Sequence, residues 1–483
     1  MIDSKLTWVS HIRDIRERSQ KGINLMRVIA GIKWGADREM LLKVYRSIVR
    51  SKIDYCSFIY SSARKSTLRQ LDTVHNQGIR ISLGAFKSSP VLSLYVEAGE
   101  FPLSYRRSQL ALGYLVKLHS KPLNPCHRIV NHLPLERKYE RAATTTKPFG
   151  IRMKILLNEY SFDIPPLFRH QPQATAPWLT PPIFVNQSLL RYPRSTTSEL
   201  EYKQYFQEIL SRGQFVQVLY TDGSKNETGC GAAVVVQNRR YKFGLPSRSS
   251  IYVAELYAIY MALSIIGGIR GNVAVCSDSI SSLLSLQHIY CKHPIIQDIH
   301  ALLFNLRVEE INVCFIWIPG HSGIQGNIHA DLAAKEAASM TANIERSMPV
   351  DISHVAKEYV KRSWQREWTS VTENKLRVIK EPVHAWDSAY RSIRREEVVV
   401  ARLRIGHTRL THGYLMCGEP TPLCNACNSC LSVQHVIAEC PSYEQARRSN
   451  NIPNDIAETL GNDPAQINRV IGFLKQIRLF DEI

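Results

Sequence analysis

The sequence predicts an α/β protein: a mixed five-stranded sheet with flanking helices, preceded by a helical region and followed by a small cysteine-rich lobe. Three observations carry this expectation. Residues 215–341 alternate short β-rich runs with helix-like stretches in the order βββαβαβα, which suits a mixed sheet covered by helices. Residues 1–120 repeat apolar positions at helical spacing. Five of the eleven cysteines crowd between 417 and 440, a clustering that favours metal ligation over a disulfide framework.

Bulk properties narrow the class. A chain of 483 residues is expected to hold about three domains. No apolar run is long enough to span a bilayer, and the opening MIDSKLTWVSHIRDIRERSQ lacks the apolar stretch of a secretory signal. An intracellular protein is expected, nuclear or cytoplasmic, without membrane contact and with few disulfides; oligomeric state is not legible. The net charge is +19. Residues 1–214 hold 33 Lys+Arg against 16 Asp+Glu, whereas residues 215–341 hold nine of each. A basic excess of that size points to a polyanion partner, because lysine and arginine displace counterions from phosphate backbones.

In chain order, helices are expected over LLKVYRSIVRSKIDY, STLRQLDTVHNQGIRISLG and SYRRSQLALGYLVKLHS, with Ser66 as N-cap of the second and Gly84 as its stop. Their polar faces carry Arg46, Arg50, Lys52, Arg64, Lys65, Arg69 and Arg80. Residues 121–214 are broken by recurrent prolines and read as a linker or an arm packed on its neighbours. FVQVLYT is then a strand followed directly by Asp222, and GCGAAVVVQ and RYKFGLP complete an antiparallel meander. Ser249 or Ser250 caps a helix with Glu255 near its start. NVAVCS is a buried strand ending at Asp278. Helical stretches follow, then the strand INVCFIWIP, the loop PGHSGIQGN and a last helix bearing Asp331. Residues 342–400 read as connecting helices anchored by Trp364, Trp368 and Trp386. A Cys/His lobe is expected over 401–445 and a helical tail over 446–483.

Placement turns the four acids into a chemical expectation. If the first and fourth strands are neighbours, about 4.8 Å apart, Asp222 and Asp278 project from one edge of the sheet, and Glu255 and Asp331 reach the same point from helices. Any one such acid alone reads as a solvated turn residue. Four together repel one another unless cations neutralise them. Hard oxygen ligands at a partly open site fit Mg²⁺ or Mn²⁺, and two ions about 3.5–4 Å apart can activate water and stabilise the leaving oxygen of a phosphodiester.

YTDGS, VAELYAI, CSDS and WIPGHSGIQGNIHADLAAKEA resemble, in order, the signature blocks of ribonuclease H type 1. The resemblance implies that family's sheet, two Mg²⁺ ions on Asp222, Glu255, Asp278 and Asp331, and hydrolysis of the RNA strand of an RNA–DNA hybrid. It implies that His321 assists proton transfer or product release and that Ser224 and Asn327 orient the site or the substrate backbone. The hybrid would be told from DNA by 2′-hydroxyls read across the minor groove. One departure stands out. Some members carry a basic helical protrusion where this chain has only HIYCKHP, so substrate grip is expected from the basic N-terminal part, and residues 215–341 alone should bind hybrid more weakly than the full chain.

At the other end, Cys424 and Cys427 are spaced C-x₂-C, and His435 and Cys440 are spaced H-x₄-C. Thiolate and imidazole ligands in this number suit one tetrahedral, structural Zn²⁺, whose binding contributes on the order of 10 kcal/mol to folding such a lobe; Cys417 and Cys430 are spare. No thioredoxin-like context favours a redox pair. With KLTWVSHI, LLKVYRSIVRSKIDYCSFIY and LDTVHNQGIRISLGAF, which look like a polymerase thumb, the chain resembles the C-terminal part of a non-LTR retrotransposon polyprotein. It has no Y-x-D-D polymerase motif, so neither the palm nor polymerase activity is expected of it. The leading expectation is a hybrid-cleaving endonuclease from a truncated element. The alternatives are a catalytically inactive nucleic-acid-binding remnant and, less favoured, a transposase or integrase.

Overall fold

The computed structural model describes residues 3–133, 136–141, 146–170, 182–237 and 239–483. The chain forms two compact units, neither continuous in sequence. One comprises Gly113–Pro134 and Ser161–Ala356; the other comprises Met1–Leu112, Leu135–Tyr160 and Lys357–Ile483.

The first of these is built on a mixed sheet. Its strands are β1 (Val185–Asn186), β2 (Gln217–Lys225), β3 (Cys230–Val236), β4 (Arg239–Leu245), β5 (Gly271–Ser277) and β6 (Ile311–Trp317). They lie in the order β1-β6-β5-β2-β3-β4. β2, β3 and β4 form the antiparallel meander, while β2–β5, β5–β6 and β6–β1 are parallel. Among the helices of this unit are α1 (Glu199–Gly213), α2 (Ile251–Ile265), α3 (Ile280–Leu286), α4 (Pro294–Val308) and α5 (Gln325–Ala338). β3 reads CGAAVVV and is buried along its whole length. Small and β-branched residues fit it between two layers. α2, apolar nearly all round, covers one side through Val253, Ala254 and Leu256, and the alanines of α5 meet Ala233 on the other.

The sheet has six strands where five were expected. The sixth, β1, comes from the proline-rich arm and is only two residues long, Val185 pairing with Phe315 and Asn186 with Ile316. So short a strand has no alternation to reveal it. The arm also supplies α1, which opens with a capping box between Ser198 and Glu201. α1 buries Phe206 among Leu189, Ala274, Cys276, Ile316 and Ile318. Residues 134–135, 142–145 and 171–181 of the expected arm lie outside the described residues.

The second unit is helical. Val9–Ile29, Lys65–Leu83 and Val91–Ala98 pack through Ile12, Ile23, Leu71, Val74 and Leu94, and Trp364, Trp368 and Trp386 are buried in that same core. The Lys65–Leu83 helix starts one residue before the expected Ser66 cap, with Arg64 at the N-cap position and no side-chain cap. It stops at Gly84, whose φ of 63° is the left-handed geometry that ends helices. Among the described residues, no helix is long and apolar enough to cross a membrane.

Candidate metal centres

The parallel pairing of β2 with β5 ends at Thr221↔Ser277, whereas β2 stays paired with β3 as far as Lys225↔Cys230. Asp222 therefore sits one residue past the parallel ladder, inside the strand rather than after it, held extended by Ala233 across from it. Asp278 follows Ser277 directly. The two acids occupy matching positions on adjacent strands.

Glu255 arrives from α2, which starts after Ser250. Ser250 holds the N-cap position but its side chain does not cap; instead its backbone N–H donates to Asp351 Oδ2 at 3.1 Å. The close seat of α2 on β2 depends on Gly223. A Cβ there would lie 2.7 Å from Glu255 N and 2.9 Å from Ala254 Cβ. The ligand oxygens of Asp222, Glu255 and Asp278 all come within 4.8 Å of one another.

Three carboxylates this close, two buried and Asp278 half-buried, resist ionising together. Burial first, then Asp278 and Asp331, push the Asp222 carboxyl up to about 8. Burial, Asp222 and Asp278 push Glu255 well above the usual carboxylate range, opposed by the Gly223 N–H. Asp278 is raised by burial, against the Asn327 amide. Glu255 Oε2 is buried and accepts no hydrogen bond. Oxygen-only donors, a like-charge cluster and an unpartnered buried acceptor together fit a hard divalent cation.

The remaining expected residues surround this trio. Asp331 is not part of it. Its Oδ2 is 2.7 Å from Lys335 Nζ one turn along α5, though it lies near enough to raise Asp222. Asn327, one turn earlier on the same face, is buried; its Nδ2 is 3.5 Å from Asp278 Oδ2, and its Oδ1 has no partner. Ser224 is two residues beyond Asp222 on β2, which puts it on the same face of the sheet. His321 is exposed on the loop between β6 and α5 with a left-handed φ of 53°, near enough to lower Asp278. Arg194 was not anticipated. Its Nη2 donates to Gly320 O, and a Cβ on Gly320 would meet both Asp278 Oδ2 (2.5 Å) and Arg194 Nη2 (3.3 Å). It lies in the aperiodic arm, so no sequence pattern marks it. Trp317 Nε1 also supports the site, donating to Asp278 O at 3.0 Å.

The second cluster is local. Cys424, Cys427, His435 and Cys440 bring one ligand atom each within 4.8 Å of the others. Cys424 Sγ lies 3.8 Å from Cys440 Sγ, and Cys427 Sγ lies 3.2 Å from His435 Nε2. A tight hairpin closed by Leu423↔Cys430 presents the first two cysteines. The Ala426 N–H and then His435 lower the Cys424 thiol to about 6, while burial raises Cys440. His435 Nδ1 faces Glu439 Oε2 at 3.7 Å, the type of outer contact that orients a ligating imidazole. Cys417 and Cys430 are exposed and stand outside the cluster.

Comparison with known proteins covers the region that carries the carboxylate trio. Residues 215–339 match the family model described as RNase H. The Pol polyproteins of equine infectious anemia virus, strain Wyoming and isolate 1369 among them, are each 38% identical over 122 residues. That stretch is 24% of this chain and 10% of each viral protein, so the likeness spans about a tenth of those relatives. Residues 215–339 are an RNase H domain, of the type found in pol-derived proteins.

Proposed function

We propose that this RNase H domain is catalytically competent and cuts the RNA strand of RNA–DNA hybrids endonucleolytically, within a protein of retroelement origin. Hydrolysis of such hybrids is the general activity of the family. The observation that carries competence is the convergence of Asp222, Glu255 and Asp278 around an unpartnered buried Glu255 oxygen. These three residues, joined by Asp331, would hold two Mg²⁺ or Mn²⁺ ions, which supply an activated water and charge stabilisation at the leaving oxygen. The chain's own residues set the stage. Gly223 lets Glu255 approach and donates its N–H to the carboxylates. Asn327 orients Asp278. His321, exposed beside Asp278, assists proton transfer or product release. Ser224 faces the substrate backbone. The hybrid is gripped by the basic residues of the N-terminal part, because the nuclease domain itself is charge-balanced. The Cys424, Cys427, His435 and Cys440 cluster holds a structural Zn²⁺.

The binding-only reading has one observation in its favour, the pairing of Asp331 with Lys335 outside the trio. One assay decides between them: cleavage of a labelled hybrid in Mg²⁺ by the full chain and by Asp278→Asn. We expect cleavage by the first and a loss of about 10²–10³-fold in the second. Absence of cleavage by the wild type would favour the binding-only reading, and equal cleavage by both would remove Asp278 from the centre.

A further inference from the structure

Several of the cations that the sequence scatters over the helical region are paired with buried or half-buried carboxylates. Arg46 and Arg50 both pair with Glu100, Arg106 pairs with Asp54 at 2.8 Å, and buried Arg38 pairs with Glu97 at 2.8 Å. Those cations hold the fold together. Lys65, Arg69 and Arg107 are placed differently. They line a cleft of about 620 Å³ between the helices Lys65–Leu83, Leu103–His119 and Phe149–Tyr160.

The lining is positive on balance: Lys65, Arg69, Arg107 and Arg152 against Asp72 and Glu159. Among the described residues, no carboxylate lies within the 4.0 Å ion-pair distance of Lys65, Arg69 or Arg107. Arg107 Nη1 is buried and has no hydrogen-bond partner. A guanidinium N–H withdrawn from water without an acceptor is costly, and it fits a fork-shaped donor awaiting a planar or tetrahedral oxyanion. Arg152 is fixed as a wall, donating to Phe58 O at 3.0 Å and Ser61 Oγ at 2.8 Å. Ser104 and Ser108 add hydroxyls, and Leu68, Met153 and Leu156 give the cleft an apolar floor.

We propose that this cleft binds a phosphate group, with Arg107 and Arg69 on its oxygens, Lys65 at the rim and the apolar floor against the attached sugar. The proposal rests on the nucleic-acid reading above only for the expected source of the phosphate, the backbone of a bound strand. A free nucleotide offers the same chemistry, and the test separates the two.

In the full chain, without added divalent ions or chelator, the affinity for a short RNA–DNA hybrid is measured over a salt series for wild type, Arg107→Gln and Arg69→Gln, with Arg107→Lys as charge-restoring control. Thermal melting is recorded in parallel with inorganic phosphate and with adenosine monophosphate. Arg69 lies at the exposed rim, so its variant reads the site even where Arg107→Gln disturbs folding. We expect affinity to fall about five-fold per variant, the slope of log affinity against log salt to drop by about 0.7–0.9, and Arg107→Lys to recover part of both. An unchanged slope, with phosphate or the nucleotide raising the wild-type melting temperature but not that of Arg69→Gln, assigns the site to a free phosphorylated ligand. If the variants keep the wild-type slope and neither small anion shifts melting, the proposal is overturned. The melting arm stands whether or not the chain cleaves hybrid, so its outcome is independent of the nuclease reading.

Discussion

The carboxylate trio and the Cys/His cluster are assembled in opposite ways. Asp222, Glu255 and Asp278 come from two strands and a helix far apart in sequence, and the sheet brings them together. Cys424, Cys427, His435 and Cys440 come from one hairpin and the turn that follows it. The scaffold of the first is made by an apolar core that includes Val234, Ala254, Leu256 and Val275. Such a core holds the acids in place without help from an ion, and ligation would only relieve their repulsion. The second has few apolar residues of its own, chiefly Val433, Val436 and Ile437, so there ligation is expected to be part of folding.

Four measurements sharpen or break this contrast. The largest effect is expected from zinc removal. Chelation should forfeit on the order of 10 kcal/mol and expose residues 420–440 to hydrogen exchange, while β2 and β5 keep their protection. Equal protection of the hairpin with and without chelator would end the zinc assignment.

Next comes Phe206→Ala. Phe206 is 2% exposed, and its removal should cost about 3–5 kcal/mol, seen as a lowered denaturation midpoint of the sheet unit. A change below about 1 kcal/mol would mean that α1 is an ornament on the domain rather than part of it.

Within the carboxylate site the members should be unequal. Asp331→Asn is expected to lower hybrid cleavage only about ten-fold, against the roughly 10²–10³-fold for Asp278→Asn, because Asp331 lies outside the trio and is already paired with Lys335. Equal losses would place Asp331 in the centre as a full member.

The last measurement separates a site from mere burial. His75 is fully buried, but unlike Glu255 its ring is partnered at both nitrogens, by the Tyr45 hydroxyl and by Phe101 O. Burial, reinforced by Arg50 and Arg107, holds it down to about 4, with Glu100 and the Phe101 carbonyl pulling the other way. Between pH 6.5 and 4 the unfolded chain binds a proton there that the native state does not. Stability therefore falls as pH falls through that window, by up to roughly 3 kcal/mol. His75→Gln should flatten the slope of stability with pH between 6.5 and 4 while leaving hybrid cleavage at neutral pH unchanged. A slope that persists in the variant would assign it to other groups.

Much of this was legible in sequence order. The β-rich runs, α2 and α5 announce themselves by length and periodicity, and Gly84 by its conformational freedom. The Ser198–Glu201 capping box and the helical spacing of Tyr202, Phe206 and Ile209 were equally present, though hidden by the prolines around them. Other features leave no local trace. β1 is too short to alternate. Arg194 matters only because Gly320 lies beside it in space. Arg46 and Lys65 look alike on a helical wheel, yet one is consumed by Glu100 and the other lines an open cleft.

The sequence by itself determined the α/β class, the identity of the acids and thiols, and the separation of charge between a basic N-terminal part and a neutral domain. These are properties of residue type and of short-range periodicity, which backbone geometry translates directly into helices and strands. Tertiary structure alone decided which acids meet, that Asp331 turns to Lys335, that the arm completes the sheet, and which arginines stay unpaired. Each depends on distance between residues remote in the chain, and burial acts on a charge only once packing has chosen its neighbours.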